Sequence, residues 1–289
     1  MPQDKALSVL FTTYNSPLWL QKVLWSLLEQ TYRHFEIIIA DDGSCSETRH
    51  MIDGMVAEFE TSKLSLSHVW QSDQGFRKCR ILNKSLMHAA YDYIVFTDGD
   101  CVLRNDFLET HAKRRKTGCY LSGTYFKLPM QTSEAISRDD IVSQRCFDRR
   151  WLVANGLSGN RGRLKLARNA RLTHWLNRLT PTACNLKGSN ASAWKSDLLA
   201  VGGLDERLHS GGQDRELGVR LQNHGIHARH VRYDAICLHL DHARGYRDVA
   251  KVKDIREHRL NVQKRGIAHT EYGTDRLTAE GYGTLHLER

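Results

Sequence analysis

Tyr93-Ile94-Val95-Phe96-Thr97-Asp98-Gly99-Asp100-Cys101-Val102 is the stretch whose reading decides the fold. A run of β-branched and aromatic residues predicts a strand, and it delivers two carboxylates, one residue apart, at its carboxyl end. In an open parallel sheet, ligands bind just beyond the carboxyl ends of the strands. Two oxygens placed there suit a hard cation such as Mg2+ or Mn2+, and such a cation suits a phosphorylated ligand. Gly99, between the acids, lets the backbone come close to that ligand.

Working outward, the preceding residues alternate between strand and helix patterns. Leu7–Thr13 predicts a buried strand. Ser16 and Pro17 follow as N-cap and first helical residue, then Leu20, Val23, Leu24, Leu27 and Leu28 at helical spacing. Phe35–Ala40 predicts a second strand, which ends in Asp41-Asp42-Gly43-Ser44. Thr48, Met51, Met55, Val56 and Phe59 line one helix face. Leu64–Gln71 predicts a third strand, and Arg80–Ala90 a helix. This rhythm implies an α/β chain with a mostly parallel central sheet and crossover helices.

Beyond Asp100 the rhythm changes. Asn105–Arg115 predicts a helix and Cys119–Leu128 a single strand. Ser133–Arg149 and Leu164–Leu179 predict helices, with an exposed loop at Asn155, Gly156, Ser158, Gly159 and Asn160 between them. Leu164, Leu172, Trp175, Leu176 and Leu179 share a face opposite arginines. Such a basic amphipathic helix suits an acidic bilayer or a surface position on the core. Gln213–Asn223 predicts a helix stopped by Gly225. A strand follows at Ile236–Leu238, a basic helix at Val249–Lys264 and a polar tail at Thr270–Arg289. Three regions are expected: 1–103 for nucleotide binding, 104–247 for the acceptor with a basic helical insertion near 130–180, and 248–289 as a terminal helix and tail.

Net charge is +9, yet Arg149–Ser196 holds ten basic and no acidic residues, so the rest of the chain is −1. The localised charge suits an anionic partner or, equally, a solvated helix face. Seven cysteines with no CxxC pair, and an amino end without a secretory pattern, predict reduced thiols and a cytoplasmic chain.

Four clusters fall at predicted element boundaries: Thr12-Thr13-Tyr14-Asn15, Asp41-Asp42-Gly43-Ser44, Asp98-Gly99-Asp100 and Gly211-Gly212-Gln213-Asp214. Singly each is ordinary, since Asp-Gly is a common turn and an Asp can cap a helix. Together with Gly75-Phe-Arg-Lys-Cys-Arg-Ile-Leu-Asn83, Gly188-Ser-Asn190 and Gly203-Leu-Asp205, they resemble a family 2 glycosyltransferase with the GT-A fold. The likeness is in particular to the GalNAc-transferring domain of bacterial chondroitin polymerases and their single-domain relatives. It spans residues 6–245 and is weakest between 130 and 180.

The resemblance implies an inverting transferase that moves a sugar from a UDP-sugar to a hydroxyl of a cell-surface glycan or glycolipid, with Mn2+ or Mg2+ as cofactor. Tyr14 and Asp41 or Asp42, in the company of Thr13 and Asn15, would hold uracil and ribose. Arg80 and Asn83 would face the nucleotide. Asp98 would reach the ribose or a metal-bound water, and Asp100 would ligate the metal. Asp214 matches the family's base, with Gly212, Gln213 and Asn190 on the acceptor side. Where the family commonly has Glu-Asp, this chain has Gln213-Asp214; a Gln can hydrogen-bond a hydroxyl but cannot take its proton. His239, then His242, is the expected third metal ligand. An anionic acceptor and peripheral contact with an acidic membrane would use the +10 segment.

Rival readings are weaker. A haloacid-dehalogenase-type phosphatase carries its Asp-x-Asp on the first strand, and here three strands precede it. No recognised RNA- or DNA-binding motif accompanies the basic segment. A non-catalytic transferase-like binding module is hinted at by Gln213. No GxGxxG follows the first strand, which argues against a dinucleotide dehydrogenase.

Overall fold

The computed structural model describes residues 6–159, 163–167, 170–179, 182–209, 211–242 and 249–282. From the amino end, β1 (Leu7–Thr13), α1 (Pro17–Leu28), β2 (Phe35–Asp41), α2 (Ser46–Thr61), β3 (Ser65–Trp70), α3 (Lys78–His88) and β4 (Tyr93–Asp98) alternate along the chain. β1 runs parallel to both β2 and β4, and β2 runs parallel to β3. Successive strand residues point to opposite faces, and this alternation sorts the core. Leu7, Val9 and Phe11 pack with Leu20, Leu24 and Leu27 of α1 and with Ile52 and Phe59 of α2. Leu10 packs with Ile38, Ala40 and the α3 residues Ile81, Leu82 and Leu86. Each fully buried side chain of this kind contributes about 1.5–3 kcal/mol of transfer free energy. The chain winds one way through β1, β2 and β3, then crosses back to place β4 on the other side of β1. Such a reversal opens a crevice at the carboxyl ends of the strands. The register sets Thr13 beside Asp41 and Thr12 beside Asp98, so the first three acidic or polar clusters arrive at one edge.

The remainder adds β5 (Cys101–Leu103), α4 (Phe107–Arg114), β6 (Cys119–Ser122), β7 (Thr124–Lys127), α5 (Met130–Ala135), α6 (Arg138–Val142), α7 (Arg149–Ala154) and α8 (Ala170–Leu179). Then come β8 (Asn190–Trp194), α9 (Lys195–Ala200), α10 (Gln213–Asn223), β9 (His227–His230), β10 (Ile236–His239), α11 (Val249–Lys264) and α12 (Thr274–Ala279). The main sheet is ordered β3-β2-β1-β4-β8-β6-β9, and a small sheet β5-β10-β7 stands beside it. β8 lies antiparallel between β4 and β6, so the main sheet crosses the 103/104 boundary. This is the α/β architecture, with a central sheet flanked by helices, that the sequence predicts.

Several expectations needed correction. Cys119–Leu128 is two strands, β6 in the main sheet and β7 in the small one. They part at Gly123, where a Cβ would stand 2.3 Å from the Asn190 side chain. Ser133–Arg149 is not one helix: Ser137 and Asp140 form a capping box that ends one helix and starts another. For α8, of the two positions left open, the apolar stripe is not the core-packed one: Thr173 is buried, while Leu172, Trp175 and Leu179 are exposed. The terminal tail contains α12, which packs on α3. Asn160, Arg161, Arg168 and residues 283–289 lie outside the described residues.

A buried polar network ties the two sheets together. Tyr93 Oη donates to Ser192 Oγ, which in turn donates to His111 Nδ1, each at 2.8 Å. His111 Nε2–H donates to Asn190 Oδ1, and Asn190 Nδ2 donates to the carbonyls of Thr124 and Ala235. Burial pushes the His111 imidazole down to about 4. The unfolded chain therefore binds a proton near pH 6.5 that the folded chain refuses until about pH 4. Stability is complete above pH 6.5 and falls by about 3 kcal/mol as pH drops to 4. Urea titrations at pH 7 and pH 4.5 are expected to show this slope, and His111→Gln to flatten it; equal slopes in the two proteins would contradict the assignment.

Candidate active site

Four elements converge on the crevice. The β1 end supplies Thr12, Thr13 and Tyr14, the β2 end Asp42, the β4 end Asp98, Gly99 and Asp100, and the β10 end His239 with His242 just beyond. They line a cavity of about 550 Å3. Gly99 is required there: a Cβ would lie 2.6 Å from the Thr12 carbonyl, which accepts the Gly99 N–H.

The loops over this cavity interlock. Asn15 accepts the Cys45 N–H through its side chain and donates its own N–H to Ser44 Oγ. Asp42 accepts from Gln71 Nε2 at 2.6 Å and from the Arg77 N–H at 2.8 Å. Burial raises the Asp42 carboxyl above its usual range, against the pull of those two hydrogen bonds. Tyr14, half-exposed, donates its hydroxyl to Asp73 at 2.8 Å, and Asp73 also lines the cavity. The Tyr14 ring thus stands as a fixed aromatic wall.

Asp100, His239 and His242 bring their ligand atoms within 4.8 Å of one another. His242 Nε2 is 3.0 Å from Asp100 Oδ2 and His239 Nε2 is 3.6 Å from it. The two imidazoles stack at 5.5 Å between centroids. His239 Nδ1 lies 2.7 Å from the Leu240 carbonyl, which can only accept. The proton is therefore on Nδ1, and the Nε2 lone pair faces Asp100. Burial alone would raise the Asp100 carboxyl, but the His242 hydrogen bond and the neighbouring imidazoles, with the Lys78 ammonium, hold it below the usual range. One carboxylate and two imidazoles form a donor set that could hold a divalent metal ion, and the imidazoles favour a transition metal over Mg2+ or Ca2+.

A smaller cavity, of about 190 Å3, adjoins the first and shares Lys78, Asp98, Gly211, Gln213 and His239 with it. Gly211 and Gly212 adopt φ +94° and +83° ahead of α10. Asp214, in the first turn of α10, accepts the Gly188 N–H on Oδ2 at 3.1 Å and the Arg215 N–H on Oδ1 at 2.8 Å. Asp100 in the larger cavity and Asp214 across the joined cavities can serve two different proton and charge tasks.

Other expected residues sit elsewhere. Asp41 is fully buried and holds the Ser44 N–H and His68, so Asp42 is the member of the pair at the cavity. Arg80 points away from the crevice to Glu206 and Glu280, beside a separate cavity. Asn83 is buried, clasping the backbone N–H and carbonyl of Leu204. Asn190 is buried in the network described above. None of these four side chains faces the nucleotide-sized cavity.

Lys78 was missed by the sequence reading. It donates to Asp98 at 2.8 Å and lines both cavities. Burial works against its charge, but Asp98, with Asp100 and Asp214 nearby, raises it above the ordinary lysine range. The signal lay in the helix start. α3 begins at Lys78, two residues before the expected Arg80, and Leu82, one turn on, shares the cavity face.

Comparison with known proteins agrees with this geometry. Residues 8–154 match Glycosyl transferase family 2. Over 236 residues the chain is 28% identical to chondroitin synthase of Escherichia coli, covering 78% of this chain and 33% of that protein. It is 27% identical to validoxylamine A glucosyltransferase of Streptomyces hygroscopicus subsp. jinggangensis, covering 76% of this chain and 52% of the other. The chain thus spans between a third and about half of these relatives' length. In fold it is similar to the mannosyltransferase PcManGT of Pyrobaculum calidifontis in complex with GDP-Man and Mn2+, at TM-score 0.57 and 18% identity over 96% of this chain and 70% of that one. It is likewise similar to S. aureus TarS in complex with UDP, at TM-score 0.56 and 16% identity over 95% of this chain and 70% of that one. The phosphatase and nucleic-acid readings lose their footing, because the Asp98-Gly99-Asp100 edge, the sheet order and this match coincide: the chain belongs to glycosyl transferase family 2.

Proposed function

We propose that the protein transfers a sugar from a UDP-sugar to a hydroxyl of a cell-surface glycan or glycolipid, with inversion at C1. The reading rests on one observation: the Asp100, His239 and His242 cluster lines a nucleotide-sized cavity that opens into a second one carrying Asp214. A bound Mn2+ or Mg2+ would supply positive charge beside the diphosphate. Tyr14 and Thr13, with Asp42, hold the nucleoside, and Asp98 with Lys78 stands at the junction of the two cavities. Asp214 accepts the proton of the acceptor hydroxyl as that oxygen bonds to C1 and the C1–O bond to the diphosphate breaks. UDP leaves with the electron pair, and attack from the face opposite the leaving group inverts C1. Gly212, at the amino end of α10, keeps the backbone low beside the incoming hydroxyl. Isothermal calorimetry with UDP, with and without Mn2+, tests the reading. Metal-dependent affinity is expected; identical titrations in EDTA and in Mn2+ would refute it.

The same reading places the protein at a cytoplasmic membrane face. The exposed Leu172, Trp175 and Leu179 of α8, within the +10 segment, support contact with an acidic surface or an anionic acceptor. No described helix is long and apolar enough to cross a membrane. Co-sedimentation with anionic but not neutral vesicles is expected, and equal recovery with both would remove the membrane arm.

A further inference from the structure

A third cavity, of about 310 Å3, shares no lining residue with the two described above. The start of α3, the loop 206–209 and α12 enclose it, and buried Cys79 and Leu208 lie among its lining residues. Four arginines line it, Arg77, Arg80, Arg207 and Arg276, against two acids, Glu206 and Glu280. Four positive and two negative side chains give this wall a net charge of +2.

The acids are already engaged. Arg80 holds Glu206 at 3.1 Å through one terminal nitrogen and Glu280 through the other, and Arg276 reaches Glu280 at 3.1 Å. Arg207 pairs with Asp205, which lies outside the lining, and stands 3.9 Å over the Tyr272 ring. With Asp205 counted the charge is still +1. Arg77 forms no ion pair among the described residues, and its guanidinium donates to the Ser72 carbonyl at 2.8 Å. A guanidinium carries five N–H donors, so these contacts leave donors over. Lys84, one turn beyond Arg80, registers the excess. Burial and then the charges of Arg80 and Arg77 push it below the ordinary lysine range, and the two arginines outweigh Glu206 and Glu280. α3 also begins here without a side chain capping its first turn, so its positive end adds to the field.

We propose that this cavity binds the phosphate monoester group of a small molecule or of a lipid headgroup, at a site separate from the joined cavities that carry Asp100 and Asp214. A phosphate monoester brings a charge of about −1.5 to −2 at pH 7 and three strong acceptor oxygens. Arg77, Arg207 and Arg276 offer the planar donor forks that such a group accepts from. A carboxylate brings one charge and two oxygens, and is the weaker ligand. The volume is at the small end for a small-molecule site. The site does not rest on the transferase reading.

Isothermal calorimetry in EDTA tests it, with glycerol 3-phosphate as the probe and acetate as the carboxylate control. Saturable one-to-one binding of glycerol 3-phosphate is expected, about tenfold or more tighter than acetate. Arg276→Gln is expected to weaken it about tenfold or more, the loss of a hydrogen bond to a charged group. Glu280→Gln removes a competing carboxylate and is expected to tighten it about two- to fivefold. Opposite signs identify charge at the ligand, because a merely structural role for α12 would make both variants weaker. Lys78→Gln, which alters the joined cavities, is expected to leave the affinity within about twofold. Vesicles of phosphatidic acid present the same monoester and separate the sources. Recovery of the protein on them, lost in Arg276→Gln, marks a headgroup; binding of glycerol 3-phosphate alone marks a soluble ester. Binding of neither overturns the proposal. So does a loss in Lys78→Gln with native affinity in Arg276→Gln, which would put the phosphate in the joined cavities. If Arg276→Gln does not fold, Glu280→Gln decides: unchanged or weaker binding in that variant overturns the site.

Discussion

Asp214→Asn is expected to lower transfer by about 10²–10⁴-fold, the usual contribution of a general base, while UDP affinity in Mn2+ stays within about twofold. The carboxylate has one oxygen on the Gly188 N–H and the other on the Arg215 N–H, at the positive end of α10. An asparagine occupies the same volume and keeps one acceptor oxygen, so the loop–helix junction survives. What it loses is the capacity to take a proton from the acceptor hydroxyl. The neighbouring Gln213 cannot substitute, because a carboxamide does not accept a proton at neutral pH. The split between a collapsed turnover and a preserved nucleotide affinity separates a base from a residue that merely holds the fold, since a folding defect would lower both. Single-turnover transfer alongside calorimetry reads both quantities. A variant that transfers within a factor of about ten of the native protein would assign the proton to another group.

The legible part of this molecule is the part governed by local pattern. β1, β2 and β4 announce themselves through β-branched runs ending in polar clusters, and their carboxyl edge is where Thr13, Asp42 and Asp100 meet. What the sequence conceals depends on choices made at long range. Asp41 and Asp42 are indistinguishable by type, and only the burial of one on His68 and Ser44 leaves the other for the cavity. Lys78 and Arg80 lie two residues apart on one helix and so point to opposite sides of it, the first toward Asp98 and the second toward Glu206. Asn190 resembles a site residue because it is polar and lies two residues after Gly188, yet its partners are β7, α4 and the approach to β10. The strand break at Gly123 exists to admit that same side chain, a contact across 67 residues that no periodicity reveals. The apolar stripe of α8 leaves two positions open, on an acidic surface or on the core, and only the structure shows that the helix buries Thr173 and exposes Trp175.

Asp100→Asn is expected to bring UDP affinity in Mn2+ down to the value measured in EDTA, with the metal-free affinity unchanged. Loss of a ligand weakens a site at least as much as loss of the groups behind it, so the expected fall in Mn2+ affinity is about 10–100-fold or more. Asn preserves the shape of the Asp and one oxygen, but it removes the negative charge that a hard divalent cation needs. The two imidazoles then remain stacked beside a neutral amide, without an anionic ligand between them. Asp98 does not fill the gap, because its Oδ1 is held by Lys78 at 2.8 Å. His242→Ala and His239→Ala are expected to weaken Mn2+ less than Asp100→Asn, since each removes a neutral donor and leaves the charge in place. Electron paramagnetic resonance of bound Mn2+ reads this order without any turnover. Native-like Mn2+ binding in Asp100→Asn would move the cation off this carboxylate, and among the described residues of the cavity wall Lys78 would be left as the cationic group for a diphosphate.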